Sequence, residues 1–279
     1  MTAIAARTVT GQRRGGARAA LGDVWAMTRR NLIHIAREPL QLSDVTVQPI
    51  LFTFLFVYVF GSGIPVPNGS YADFAIAGLL LLNLTTSSVG TAVGLTADLA
   101  TGLIDRLRTL PMWAPAVLIG RSIADLLTAA LCTAIVAVTG LIVGWRPTTS
   151  VPEILAGFGV ALLFAFALSW ACACVGLWAK GVESAQGVGF LVLFPMSFVS
   201  NALVPTGGMP DWIKFIADWN PVSAVTAACR VLWGDPNPSA ASPAWAMQHP
   251  VITALAWSIA ILAVTVPLAI ALYRRRTTT

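Results

Sequence analysis

The feature that most restricts this chain is a series of apolar stretches too long for any water-soluble fold. From Phe74 to Thr96 and again from Ile154 to Ala179 no charged residue occurs. At 1.5 Å per helical residue, each stretch exceeds the roughly 30 Å of a bilayer's hydrocarbon core. Only a helix satisfies its own backbone groups there, so the stretches predict membrane-spanning helices. Composition agrees: 57% of residues are hydrophobic, 10% are charged and the mean hydropathy is +0.78. That leaves too little polar surface to cover a soluble globule of 279 residues.

Reading along the chain predicts an all-α polytopic membrane protein with six transmembrane helices. The spans fall at about 45–62, 74–96, 115–145, 154–179, 187–204 and 251–273. Residues 1–20 read as a disordered basic tail, with no apolar core of the length a cleavable signal needs. Residues 21–39 read as an N-terminal amphipathic interfacial helix: Leu21, Val24, Trp25, Leu32, Ile35 and Ala36 recur at helical spacing, opposite Asp23, Arg30, His34 and Arg37. Pro39 should end it at Glu38, because the residue before proline avoids helical geometry. The transmembrane domain then occupies 40–279. Between spans five and six, residues 207–234 predict short extracytoplasmic helices, with Trp212, Phe215, Ile216 and Trp219 at an interface.

Orientation follows from arithmetic on the seventeen Lys and Arg. Seven precede the first span, Arg106 and Arg108 lie between spans two and three with Arg121 at the inner end of span three, Lys180 follows span four and three end the chain. Arg146, Lys214 and Arg230 remain on the other side. Fourteen against three predicts cytoplasmic N and C termini. The net charge of +5 therefore belongs to membrane orientation, and no nucleic-acid partner is expected.

Several chemistries are excluded or disfavoured. A P-loop needs Gly before its Lys, yet Lys180 and Lys214 follow Ala179 and Ile213. Neither His34 nor His249 has a partner at metal-ligand spacing, and the four cysteines show none. No metal or catalytic residue is expected. No charge falls at the predicted centre of a span, which disfavours an ion-coupled carrier or channel. Arg121 and Asp125, one turn apart, are placed near the inner end of span three.

Three segments carry a family resemblance. The first runs from Glu38-Pro39-Leu40 through Pro49-Ile50 to Tyr58-Val59-Phe60-Gly61. The second is Gly102-Leu103-Ile104-Asp105-Arg106-Leu107-Arg108-Thr109-Leu110-Pro111-Met112, followed by Gly120-Arg121 and Asp125. The third runs from Phe194-Pro195 through Ser200-Asn201, Val204-Pro205, Met209-Pro210-Asp211-Trp212 and Asn220-Pro221 to Arg230. Together they resemble the permeases of type 2 ABC exporters, especially the daunorubicin/doxorubicin-resistance type.

The resemblance implies two cytoplasmic ATPase subunits, which would hold ATP and Mg, and a second permease subunit, identical or related. This chain itself would bind no cofactor. It also implies that residues 98–112 form a coupling helix, with Gly102, Leu103, Asp105, Arg106, Arg108 and Pro111 as its ATPase-coupling residues. Leu99, Leu103, Leu107 and Leu110 make one apolar face of that helix, and Arg106 interrupts it. Pro205, Met209, Pro210, Trp212, Asn220 and Pro221 match the family's extracytoplasmic gate.

Candidate pathway residues are Asn83, Thr86 and Ser87 in span two, with Phe194, Phe198 and Asn201 in span five. Polar groups at mid-span face another helix or a cavity, and helix packing explains them as well as a pathway does. Few fixed charges suit a hydrophobic or amphipathic compound: a drug, a natural product or a lipid. Export of a polysaccharide or glycolipid is the alternative, with the ion-coupled carrier behind it.

Overall fold

The computed structural model describes residues 17–61, 63–64, 66, 70–102 and 116–278, and every regular element among them is helical. Helix α1 (Ala17–Arg37) stops at Glu38, whose backbone is extended, and Pro39 opens α2 (Pro39–Leu55) as its first residue. A π-helical stretch, Phe56–Phe60, prolongs α2. Next come α3 (Tyr71–Ser87), α4 (Val89–Ala100), α5 (Ala116–Val143), α6 (Val151–Trp178) and α7 (Val182–Phe198). Four helices complete the chain: α8 (Asp211–Trp219), α9 (Pro221–Trp233), the single turn α10 (Trp245–Gln248) and α11 (Pro250–Thr278).

Five stretches among the described residues are long and apolar enough to cross a membrane: Gln41–Phe60, Tyr71–Ala100, Ala116–Val143, Val151–Trp178 and Pro250–Arg275. Two shorter apolar helices, Val182–Phe198 and Pro221–Trp233, accompany them. Where span five was expected over 187–204, α7 starts earlier, at Val182, and stops at Phe198. Residues 199–205 continue as irregular backbone, most of it buried.

Packing sorts the helices into centre and rim. Over the most apolar 18 residues of each span, 78% are buried in the α3–α4 stretch and 72% in α6, against 17% in the Gln41–Phe60 stretch and 11% in α11. Phe74, Leu79, Leu81, Leu84 and Phe164 fill the centre. Helix α11 lies along α6, α4 sits between α6 and α7, and α1 runs along α5. The rim leaves Leu51, Tyr58, Leu191, Ile259 and Val264 exposed, the pattern of a surface whose solvent is lipid.

Two elements differ from the sequence expectation. Helix α1 buries Val24, Met27, Thr28 and Asn31, while Leu21 and Trp25 are exposed. Its inward face is narrower because Gly120 of α5 lets the α1 backbone approach: a Cβ there would meet Met27 and the Val24 carbonyl. Thr28 secures the contact by donating to the Gly120 carbonyl at 3.2 Å. The second difference is a break in span two at Ser88. There Thr86, Ser87 and Ser88 turn their hydroxyls back onto the carbonyls of Leu82 and Leu84, which competes with the helical ladder and bends it.

Candidate functional site

Helix α4 leaves the bundle at Asp98–Gly102 and α5 re-enters at Ala116. The stretch between them, holding Leu103, Asp105, Arg106, Arg108 and Pro111, lies outside the described residues. Gly102 is described: its φ of 65° suits glycine and turns the chain after α4.

At this end of the bundle four charged side chains join three helices. Arg30 of α1 donates to both oxygens of Asp98, at 2.9 and 3.4 Å. Arg121 of α5 stands 3.7 Å from Asp98 Oδ2 and 3.7 Å from Asp125 Oδ1. Thr91 of α4 donates to Asp125 Oδ2 at 2.7 Å. Two arginines and two aspartates balance in charge, as partly buried ions must.

The Arg121 guanidinium lies across the backbone of α4. Its Nη2 donates to the Gly90 carbonyl at 3.0 Å, and it occupies the space where a Cβ on Gly94 would stand. At i and i+4, Gly90 and Gly94 have the spacing of a small-residue packing face. Gly94 instead seats a charged side chain, and no local signal distinguishes the two uses.

Above this cluster, at the α3–α4 break, lies a cavity of about 40 Å³ lined on its polar side by Ser87, Ser88, Thr91, Asp125 and Ser169. Leu84, Leu126 and Ala129 form part of its apolar wall. Asp125, expected merely near the inner end of span three, thus reaches a polar space beside the middle of span two.

The candidate pathway residues do not form one surface. Asn83 is buried and bonds its own helix, through the Leu79 carbonyl. Thr86 bonds likewise within α3, and Ser87 is exposed at the rim of the cavity. Phe194 and Phe198 stack on each other with ring centres 4.4 Å apart and about half exposed. Asn201 is buried at the opposite end of the bundle, where its amide donates to Ser239 and its backbone N–H to Ser223.

At that end the gate candidates divide into two groups. Trp212 is exposed on α8 with Phe215, Ile216 and Trp219, and Pro210 precedes the helix. Pro205 and Met209 flank a short 3-10 turn, Thr206–Gly208. Asn220, by contrast, is a buried junction. Its Oδ1 caps α9 at the Val222 N–H, its Nδ2 donates to the Met196 and Val199 carbonyls at the end of α7, and Pro221 opens α9.

Helix α9 is buried along most of its length. Arg230, counted from sequence among the basic residues of an outer loop, is fully buried. Its Nε and Nη2 donate to the Phe74 carbonyl, Nη1 to that of Asn201 and Nη2 to that of Ala202, all between 2.9 and 3.1 Å. The Asn201 and Ala202 carbonyls belong to the irregular 199–205 segment, so the guanidinium satisfies backbone that no helix completes, while its bonds to Phe74 tie that segment to the start of α3. Such a partner is invisible to a reading of local hydropathy.

The ABC-2 type transporter family profile matches residues 22–232. The chain is similar to the daunorubicin-resistance ABC transporter permease DrrB1 of Streptomyces coeruleorubidus, at 32% identity over 77% of this chain and 74% of that protein. It is also similar to the doxorubicin-resistance ABC transporter permease DrrC of Mycobacterium tuberculosis, at 28% identity over 94% and 92% of the two chains. A third relative is the transport permease ycf38 of Pyropia yezoensis, at 26% identity over 77% and 75%. This chain therefore belongs to the ABC-2 type transporter family, as a multi-pass permease subunit whose nucleotide-binding ATPase is a separate protein.

Proposed function

We propose that the protein is the membrane-spanning half of an ATP-driven exporter that carries a hydrophobic or amphipathic compound out across the bacterial cell membrane. In this reading two copies, or this chain and a related one, form the pathway above two cytoplasmic ATPase subunits. Helix α7 supplies the remaining span, the fifth in chain order: its 17 residues reach about 26 Å, and the 199–205 segment completes the crossing. Both termini are cytoplasmic, as the distribution of basic residues favours.

The observation that carries the coupling part of this reading is the Arg30–Asp98–Arg121–Asp125 cluster. It ties α1 to both helices that flank residues 103–115, which hold most of the 98–112 stretch that matches the family's coupling helix. A push on that stretch is thereby transmitted to α1, α4 and α5 together. The relatives named for daunorubicin and doxorubicin resistance support a lipophilic cargo, as do the exposed aromatic pair Phe194–Phe198 and the few charges in the spans.

The test is reconstitution of the permease with its ATPase in inverted vesicles. ATP-dependent accumulation of a fluorescent lipophilic compound is expected, as is a large loss of coupled ATP hydrolysis in Arg30→Ala and Asp98→Ala with assembly retained. Solute movement that persists without any ATPase would replace this reading by a carrier.

A further inference from the structure

The cavity at the α3–α4 break is unusual in what its polar groups have left to offer. Ser87 and Ser88 donate their hydroxyl protons to the Leu84 carbonyl, Ser169 donates to Phe166, and Thr91 donates to Asp125. Every hydroxyl on the wall has spent its proton, and each oxygen keeps acceptor capacity. With the Asp125 carboxylate the wall is a set of acceptors carrying one negative charge. A ligand group that only donates, and is positive, complements it.

The cation now beside Asp125 is held by the Gly90 carbonyl and not by that carboxylate. Arg121 is 3.7 Å from each of two carboxylates, outside hydrogen-bond distance of both. Its Nε is buried with no hydrogen-bond partner. Moving off Asp125 toward Asp98 therefore costs it no hydrogen bond to Asp125 and keeps an ion partner.

We propose that this cavity receives the ammonium head of a cationic amphiphile, with Asp125 as counter-charge and Arg121 as the cation that yields to it. A volume of about 40 Å³ admits a small ammonium group, since one water needs roughly 10–15 Å³ of such space, but not the body of an amphiphile. The apolar body then lies outside, past Ser87, where the wall is exposed. Charge stays balanced: the incoming cation pairs with Asp125 and Arg121 passes to Asp98, the residue that also holds Arg30. Substrate in the cavity thus alters the cluster next to the 103–115 stretch. This deepens the export reading by naming the cargo's headgroup, and rests on it for transport but not for binding.

The test uses the permease alone in lipid nanodiscs, titrated with monodansylcadaverine, a fluorescent primary-amine amphiphile, and with its neutral N-acetyl twin. Wild type is expected to prefer the amine by about tenfold or more, the scale of one buried charge-assisted contact. Asp125→Asn should erase that preference and Arg121→Gln, which removes the competitor, should strengthen amine binding. Equal binding of amine and twin by wild type overturns the proposal, as does an amine preference surviving in a folded Asp125→Asn. Should Asp125→Asn fail to fold, Arg121→Gln decides alone: unchanged or weaker amine binding overturns the site. Preference for the amine without ATP-driven transport in the assembled complex would sink the exporter reading while leaving the site standing.

Discussion

Arg230 holds Phe74 in two ways at once: its guanidinium donates to the Phe74 carbonyl through Nε and Nη2, and its carbon lies 3.7 Å from the centre of the Phe74 ring. The two residues are 156 positions apart, and the contact fastens α9 to the first turn of α3. Because the same side chain also serves the Asn201 and Ala202 carbonyls, which lie outside any helix, its removal leaves two buried carbonyls short of a donor. Arg230→Ala should destabilise the protein by about 3–5 kcal/mol. Arg230→Lys should recover only part of this, since an ammonium cannot reproduce the planar fork. Thermal unfolding in detergent, followed by size-exclusion homogeneity, measures both.

Gly90 and Gly94 make a paired prediction on one helix face. A Cβ on Gly90 meets nothing within 4 Å, so Gly90→Ala should be neutral or stabilising by up to about 1 kcal/mol. A Cβ on Gly94 meets the Arg121 guanidinium. Gly94→Ala should therefore cost roughly 1–3 kcal/mol of overpacking and weaken the Arg121 contacts. Parallel melting curves of the two variants check this; equal behaviour would mean that Arg121 does not rest on α4.

Gly120 sets how closely α1 lies against α5. Gly120→Leu should drive Met27 and the Val24–Thr28 backbone away and break the Thr28 bond to the Gly120 carbonyl. The expected result is faster proteolysis within Ala17–Arg37 at little cost to the rest of the bundle. Limited trypsin digestion, with cleavage sites at Arg29, Arg30 and Arg37, reads it directly.

Asp235 follows α9 and is nearly buried. Burial above all, with the charge of Asp73, pushes its carboxyl up to about 7, although the Trp145 hydrogen bonds and Arg230 oppose the shift. In the unfolded chain it would titrate near 3.8. The folded protein therefore keeps a proton that the unfolded chain has lost, and the stability so gained is full below about pH 4 and disappears as pH rises through 7. Wild type should lose thermal stability over that range relative to Asp235→Asn, whose side-chain carbonyl can still accept from the Trp145 indole. Unfolding temperatures of both from pH 5 to 8 test this. Parallel slopes would mean that Asp235 is already ionised at the low end.

The residues that announce themselves locally were legible in the sequence. Uninterrupted apolar runs marked five helices long enough to cross a membrane, and Pro39 marked the boundary of α1 and α2. The lysines, lacking a preceding glycine, ruled out the P-loop. Each rests on residues within a few turns of one another, the range over which hydropathy and backbone preference act. Partners across the bundle were not legible. Arg230 and a loop arginine look alike until Phe74, Asn201 and Ala202 surround one of them, and Gly94 looks like any packing glycine until Arg121 crosses it. Asp125 is one charge near a span end in the sequence, while in the structure it borders a cavity shared with Ser87, Ser88 and Thr91 of another span and Ser169 of a third. Sequence alone determined that this chain must live in lipid, fold as helices and carry no P-loop of its own. Tertiary structure decided which few polar side chains are buried and what they hold, because a buried charge is placed by donors and acceptors that only packing brings within reach.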